Sequence, residues 1–202
     1  MQPYFGWIGW AWLAFYLFWL VMAAFVKKTK VREPVLQRLV YGLSMIVAFL
    51  LLVQGQIPSQ RTVLVDLFNF AAVPFADRVF TPTATLGVIG LIAAILGLVL
   101  AIWARVTLGK NWSGDVTIKQ DHTLITAGPY AFVRHPIYTA LLLMYLGTWL
   151  VLGTLGGIVG FAVLLWGFWI KLRREETFML KTFPDQYPAY AKRVKRLVPW
   201  VM

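Results

Sequence analysis

Five uncharged apolar runs divide this sequence, and they constrain its fold more than any other feature. A helix needs about 20 apolar residues to cross roughly 30 Å of hydrocarbon. Two runs, Tyr4 to Val26 and Ala84 to Ala104, reach that length. The other three are somewhat shorter: Leu39 to Val53, Pro136 to Leu152 and Gly156 to Ile170. The sequence therefore predicts an all-α integral membrane protein with about five transmembrane helices.

A very short connection joins the last two runs. Residues 153–155 can link only neighbouring antiparallel helices, so we expect a helical hairpin there. Glycines recur at four-residue spacing around this turn, as in the pair Gly156 and Gly160. Small residues at that spacing let helix backbones approach closely in lipid.

The basic residues indicate how the chain crosses the membrane. With five spans, all Lys and Arg residues except Arg61 and Arg78 fall on one side. Because cytoplasmic loops carry the excess of Lys and Arg, the amino terminus is expected outside and the carboxyl terminus in the cytoplasm. Several polar residues interrupt the segment 63–80, which we expect at the outer interface or re-entrant. No Lys or Arg occurs in the first 26 residues, a feature of a retained span rather than a cleaved secretory signal.

Composition narrows the kinds of chemistry that this chain can perform. The sequence is 60% hydrophobic, and its net charge of +11 is therefore better matched to an anionic membrane surface than to nucleic acid. With no cysteine, disulfides, thiolate metal sites and a cysteine nucleophile are excluded. With two histidines, we expect no metal site. The spans also lack the mid-membrane charges that mark a transporter.

The polar residues that could carry chemistry begin at Arg105. The loop over residues 105–138 contains both histidines, a Gly-Pro step and several aromatic residues. Its composition is unlike that of a disordered linker, so we expect it to fold against the cytoplasmic helix ends. Arg134-His135-Pro136 also fits a plain helix start, with proline in the first turn and arginine near the headgroups.

Two charged segments follow the fifth apolar run. Lys171 and Glu175 lie one helical turn apart on one face, and Glu176 follows directly. Surface ion pairing explains such a pattern, but two adjacent carboxylates beside anionic lipid also suit a cationic ligand. The stretch from Tyr187 to Trp200 mixes aromatic and basic residues as an interfacial helix does.

In this order, these segments resemble the isoprenylcysteine carboxyl methyltransferase family, whose relatives include phospholipid N-methyltransferases and thiol methyltransferases. The resemblance covers residues 84–200. It is carried by HTLI at 122–125, GPYAFVRHPIY at 128–138, the Glu175-Glu176 pair after a tight hairpin, and FPDQYPAYAKRV at 183–194. It implies a methyltransferase core over residues 84–202 and a variable region with two spans over residues 1–83.

The resemblance also implies a cytoplasmic pocket for S-adenosylmethionine, formed by the loop before the fourth span and the helix after the fifth. The residues implied to contact the cofactor are Lys119 or Gln120, His122, Thr123, Leu124, Ile125, Tyr130, His135, Pro136, Ile137, Tyr138 and Glu175. Those implied to act in catalysis are Arg134, His135, Glu175 and Glu176. The substrate would meet Lys171, which stands where the family has an arginine, or its neighbours Arg173 and Arg174.

The expected function is methyl transfer to a lipophilic acceptor that enters from the bilayer. S-adenosylmethionine is a sulfonium with an ammonium and a carboxylate, so its site needs an acidic group, polar donors and aromatic walls. Glu175, His135 and the tyrosines supply these. The acceptor expected first is an isoprenylcysteine-type carboxylate. A lipid amine or a small thiol is an alternative acceptor, and either would have to lose a proton during the reaction. A non-catalytic scaffold or lipid-binding protein, using these residues as caps and surface charges, is the alternative of another class.

Overall fold

Helices make up most of the structure, a computed structural model that describes residues 3–26, 29–32, 34–53, 75–112, 117–119 and 123–201. The helices are α1 (Pro3–Ala23), α2 (Val35–Val53), α3 (Ala84–Leu108), α4 (Pro136–Leu152), α5 (Leu155–Thr182) and α6 (Gln186–Arg193). Two short strands, β1 (Thr29–Arg32) and β2 (Thr117–Lys119), pair antiparallel. Single 3-10 turns cover Gly109–Asn111 and Gly128–Ala131. Residues 54–74, which include most of the interrupted outer segment, lie outside the described residues.

Each of the five apolar runs forms a helix, as predicted. α1, α2, α3 and α5 are long and apolar enough to cross a membrane, and α4 is a shorter apolar helix. α4 has 17 residues, which corresponds to about 26 Å at 1.5 Å per residue. The predicted all-α integral membrane fold is confirmed, and the protein is a multi-pass membrane protein.

Both α3 and α5 continue beyond the apolar runs into polar sequence. α3 ends at Leu108, so Arg105 lies in its last turn and the expectation that it begins a loop is wrong. The Arg105 guanidinium is fully buried and donates hydrogen bonds to Met22 O (2.6 Å) and Gly109 O (2.7 Å). These two carbonyls let the helix continue through a charged residue.

The predicted hairpin joins α4 to α5 through a two-residue turn. Gly153 has φ +67°, a left-handed conformation that favours glycine, and it ends α4. Thr154 caps the start of α5, where its hydroxyl accepts a hydrogen bond from Gly157 N (3.2 Å). At this end of the helices, Val79 N donates to Gly153 O (2.8 Å), so the described end of the interrupted segment packs on this turn.

Small residues determine how closely the helices pack. α3 lies against α4 with Gly90 facing Gly147, and a Cβ on either glycine would collide with the other's carbonyl. α2 lies against α5 in the same way, because a Cβ at Gly167 would collide with Ser44. α1 packs on α3 and α4. Close approach of this kind gives van der Waals packing, which holds helices together in lipid.

Gly147→Val is expected to destabilise the protein, because the new side chain would press on the α3 backbone at Gly90 and Ala94. Overpacking of this kind costs about 1–3 kcal/mol. Thermal unfolding in detergent measures the effect. Gly9→Val on α1 is the matched control, since a Cβ at Gly9 meets nothing within 4 Å. Equal unfolding temperatures for the two variants would contradict the packing of α3 on α4.

The carboxyl-terminal stretch folds back on the start of α4. α6 ends at Arg193, so the expectation of a helix from Tyr187 to Trp200 is wrong for the residues after Arg193. The chain after α6 is extended because its backbone pairs with the segment before α4. Arg134 N donates to Lys195 O (2.7 Å), and His135 N donates to Arg196 O (3.0 Å).

Candidate active site

A cavity of about 650 Å³ lies among α1, α2, the start of α4, the polar part of α5 and α6. Small-molecule sites usually have volumes of about 300–1,000 Å³. Most of its lining is aromatic or aliphatic. The charged residues among the described lining are Arg38, Arg134, His135, Lys171 and Glu175.

His135 lies at the centre of the charged residues, as the residue that precedes the first turn of α4. Its Nδ1 lies 3.4 Å from Glu175 Oε2, and its Nε2 lies 3.3 Å from Glu176 Oε1. Burial alone would lower the pKa of His135, but the hydrogen bonds with the two carboxylates outweigh it and raise the pKa above its usual value. Because a neutral imidazole has one N–H, both contacts are satisfied only when the ring is an imidazolium.

Glu176 is held by two arginines and does not line the cavity. Its Oε1 accepts hydrogen bonds from Arg134 Nη2 (2.7 Å) and Arg134 Nε (3.0 Å). Its Oε2 accepts from Arg196 Nη2 (2.8 Å) and Arg196 Nε (3.1 Å). Arg134 also donates to the carbonyls of Ala191 and Val194. This carboxylate therefore ties α5, the start of α4 and the tail together.

Glu175 points in a different direction, because successive residues on a helix are about 100° apart. Its side chain lines the cavity and is 27% exposed, and its Oε1 accepts a hydrogen bond from Tyr138 Oη (2.5 Å). The Tyr138 ring stacks on Phe168. Lys171, one turn before Glu175, places its Nζ 4.8 Å from the centre of the Tyr41 ring and 5.5 Å from that of Tyr138. The two adjacent carboxylates thus have different environments, and Glu175 is the one that a ligand could reach.

The loop before α4 supplies a second polar group to the cavity. Asn111 Nδ2 donates to Thr123 Oγ1 (2.9 Å). The Oδ1 atom of Asn111 is buried, and the described part of the chain provides it with no hydrogen-bond partner. A bound ligand with an N–H or O–H group could satisfy this oxygen.

Two tyrosines connect this loop to α6. Tyr190 Oη donates to Tyr130 O (2.7 Å), and both side chains line the cavity. Burial raises the pKa of Tyr190 to about 12, so its hydroxyl keeps the proton that it donates.

α1 provides an aromatic wall that faces these polar groups. The Phe15 and Trp19 rings stack with centres 4.3 Å apart, and Trp112 meets Trp19 edge to face. All three rings line the cavity. The buried Arg105 guanidinium lies 4.5 Å from the Trp112 ring centre, so this arginine joins the end of α1 to the loop.

The structure brings most of the residues implied by the sequence into one cavity. Its lining includes Thr123, Leu124, Ile125, Tyr130, Arg134, His135, Ile137, Tyr138, Lys171 and Glu175. Pro136 is fully buried at the start of α4, and neither Arg173 nor Arg174 lines the cavity. Lys119 ends β2, while Gln120 and His122 lie outside the described residues. In the described part of the chain, no cluster of His, Asp and Glu side chains could hold a metal ion.

Sequence reasoning missed the α1 and α2 wall, Asn111 and Arg196. The aromatic residues of α1 have the composition of any lipid-facing helix, so no signal separates the cavity-lining ones from their neighbours. Arg196 is one of several bases in the tail. Only the fold identifies it as the partner of Glu176.

Comparison with known proteins supports the resemblance of the motifs. The model of the isoprenylcysteine carboxyl methyltransferase family matches residues 88–181. A protein-S-isoprenylcysteine O-methyltransferase from Schizosaccharomyces pombe is 36% identical over 109 residues, which are 52% of this chain and 46% of that protein. The B form from Arabidopsis thaliana is 35% identical over 115 residues, covering 55% of this chain and 58% of the relative. The protein-S-isoprenylcysteine O-methyltransferase from Homo sapiens is 32% identical over 119 residues, which are 57% of this chain and 42% of that protein.

The chain spans about half the length of the curated relatives that it matches. A solved structure of the eukaryotic intramembrane Ras methyltransferase is also similar, with 26% identity and a TM-score of 0.49, over 85% of this chain and 55% of that one. The region 88–181, which contains α4, most of α5 and the RHP motif, is therefore similar to the isoprenylcysteine carboxyl methyltransferase family.

Proposed function

We propose that this protein is an S-adenosylmethionine-dependent membrane methyltransferase whose acceptor is an isoprenylcysteine-type carboxylate. The observation that carries the proposal is a single cavity in which the His135 and Glu175 ion pair lies beside an apolar wall from α1 and α2. Such a cavity suits a polar cofactor next to a lipophilic acceptor. The relatives' shared name, protein-S-isoprenylcysteine O-methyltransferase, supports the same reaction.

The lining of the cavity fits S-adenosylmethionine. Glu175 offers a carboxylate to its ammonium group, and the Tyr130 and Tyr138 rings suit a sulfonium. The buried Oδ1 of Asn111 lacks a partner among the described residues and could accept a hydrogen bond from the cofactor. Thr123 to Ile125 would border the adenosine, as the family resemblance implies.

The charges in the lining favour an acidic acceptor over a lipid amine. Arg134 is paired with Glu176, and His135 lies between two carboxylates, so the other cations of the described lining are Arg38 and Lys171. Beside the acceptor, these two cations would attract a carboxylate and disfavour an ammonium, whereas the cofactor's ammonium group would lie at Glu175. We assign the acceptor contact to Lys171, since it lines the cavity whereas Arg173 and Arg174 do not. Lysine is a point charge without the planar fork of arginine, so it would hold the carboxylate less rigidly.

The proposed methyl transfer to a carboxylate requires no proton transfer. When bound, S-adenosylmethionine would supply the methyl group as a sulfonium. Transfer to a carboxylate forms one C–O bond and breaks one S–C bond, and no proton moves because the acceptor is ionised at neutral pH. The side chains therefore bind, align and exclude water. Lys171 would orient the acceptor, Glu175 the cofactor, and the aromatic wall would keep water out.

Transfer of a labelled methyl group tests the proposal directly. Purified protein in nanodiscs is given labelled S-adenosylmethionine with a farnesylated cysteine, a phosphatidylethanolamine vesicle or a small thiol. We expect label in a base-labile ester of the farnesylated cysteine. Label on the amine or thiol alone would move the acceptor to that class, and no label with any acceptor would overturn the reaction.

Gly42→Phe is expected to raise the KM for the lipophilic acceptor several-fold while leaving cofactor affinity unchanged. Gly42 lies on α2 in the cavity lining, and a Cβ added there meets nothing within 4 Å. The phenyl ring would therefore enter the cavity rather than disturb the helix packing. Gly9→Phe on α1 is the control, because that glycine is equally open but does not line the cavity. Equal losses of acceptor and cofactor binding would contradict lateral entry beside α2.

The division of the chain at residue 84 and its orientation are part of the proposal. Residues 84–202 carry the charged cluster, and residues 1–83 contribute α1 and α2 as the acceptor wall. The distribution of Lys and Arg supports a cytoplasmic cavity and an external amino terminus. A cysteine introduced at Gln186, beside the cavity, should react with an impermeant thiol reagent only after the cytoplasmic face is opened.

A further inference from the structure

Among the described residues, Arg196 is the one that contacts both carboxylate oxygens of Glu176. Its Nη2 and Nε donate to Glu176 Oε2 at 2.8 and 3.1 Å, and Nε also reaches Oε1 at 3.1 Å. The guanidinium lies 5.4 Å from the centre of the Trp169 ring, which helps hold it in place. Among the described residues, Oε2 of Glu176 has only Arg196 as a hydrogen-bond partner.

Arg134 cannot replace this contact, because all its bonds to Glu176 end on Oε1. Oε1 is also the oxygen that faces His135 Nε2 (3.3 Å). A carboxylate held through one oxygen can turn about its terminal bond, whose rotamers are broad. A carboxylate held through both oxygens cannot turn about that bond. Arg196 is therefore the residue that determines whether Glu176 Oε1 stays directed at His135.

The backbone strengthens this arrangement. Arg196 O accepts from His135 N (3.0 Å), and Thr139 Oγ1 donates to Leu197 O (2.7 Å). Leu197 is 1% exposed, so the tail is anchored on both sides of the start of α4. The same short segment thus contacts the backbone of His135 and the carboxylate that faces its ring.

We propose that Arg196 is a positioning residue of the active site: by holding both oxygens of Glu176, it keeps the His135 ring between the two carboxylates and directs Glu175 toward the cofactor. The proposal deepens the proposed function and rests on it for its binding readout. The titration of His135 is a second readout that requires no cofactor.

Removal of Arg196 should shift the pKa of His135 in one direction if Arg196 positions Glu176, and in the other direction if it acts only as a nearby cation. The charged and titratable groups around His135 are Glu175 and Glu176 from α5, Tyr138 from α4, Arg134 before it, Arg196 from the tail and Tyr187 from α6. As a nearby cation only, Arg196 would lower the pKa of His135, and its removal would raise that pKa. As a positioning residue, its removal releases Glu176 from the ring, and burial then lowers the pKa.

The experiment is a pH titration of the imidazole signals by NMR with histidine-selective ¹⁵N labelling. The chain has two histidines, so His122→Gln assigns both signals. We expect Arg196→Gln to lower the pKa of His135 by about one unit, equivalent to a tenfold change in its protonation equilibrium. S-adenosylhomocysteine affinity should fall by a similar factor, and Arg196→Lys should recover part of both losses. Lys195→Gln removes the same charge from the exposed neighbouring residue and should change neither.

A raised or unchanged pKa of His135 in folded Arg196→Gln protein would overturn the positioning role. If that variant does not fold, the His135 titration is measured on Arg196→Lys, which retains the charge without the planar fork of arginine. Wild-type protein that binds no S-adenosylhomocysteine would contradict the proposed function, yet the His135 titration would still decide the role of Arg196.

Discussion

Replacement of Glu175 by glutamine is expected to weaken S-adenosylhomocysteine binding by at least about 30-fold while the protein stays folded. Truncating one partner of a buried charge pair costs about 2 kcal/mol or more, which corresponds to this factor. Glu175 is the carboxylate in the described cavity lining, so we propose it as the partner for the ammonium group that S-adenosylmethionine and S-adenosylhomocysteine share. Its side chain is 27% exposed, and this accessibility limits the effect on stability.

Calorimetric titration measures the affinity, and thermal unfolding checks the fold. Asp185→Asn is the matched control, since it removes an exposed carboxylate that does not line the cavity. Normal binding of S-adenosylhomocysteine to Glu175→Gln would show that this carboxylate does not hold the cofactor.

Glu176→Gln should instead unfold the protein at a distinctly lower temperature. Breaking a buried ion pair by removing one partner costs about 3–5 kcal/mol, because the other charge stays buried without compensation. Here the side chains of Glu176 and Arg134 are 9% and 7% exposed, and His135 and Arg196 also lose their shared acceptor. The glutamine amide has one acceptor oxygen in place of two, so it cannot accept the hydrogen bonds of Arg134, His135 and Arg196 together.

Thermal unfolding of Glu176→Gln beside Glu175→Gln tests this difference between adjacent residues. Both changes remove one negative charge and keep the side-chain shape. A melting temperature equal to that of the wild type for Glu176→Gln would contradict its role in joining α5 to the tail.

The helices were predictable from sequence because apolar runs and turn residues act locally. The bounds of α4 match the predicted run, and α2 begins a few residues before its run. The short connection at 153–155 predicted the hairpin, and Gly153 and Thr154 form it through their conformational and capping preferences. Arg105 was misassigned because charge normally ends a span, whereas here the carbonyls of Met22 at the end of α1 and of Gly109 directly after α3 accept its hydrogen bonds.

The candidate site was predictable only in part, since its residues come from distant segments. Motif resemblance identified His135, Tyr138 and Glu175 on α4 and α5, and all three line one cavity. It gave the cofactor contact to Glu175 alone but placed Glu176 with it among the catalytic residues, because the local pattern does not show that Glu176 faces Arg196. The α1 wall and the tail contacts are long-range consequences of packing, which a local pattern does not encode.

Calorimetric titration of S-adenosylhomocysteine into the purified protein in nanodiscs, without acceptor, tests most directly whether this cavity holds the cofactor. Saturable one-to-one binding that Glu175→Gln removes is the expected result. A well-folded protein that binds no S-adenosylhomocysteine would contradict the methyltransferase proposal and would favour a membrane scaffold that uses the same charged cluster only to hold its helices together.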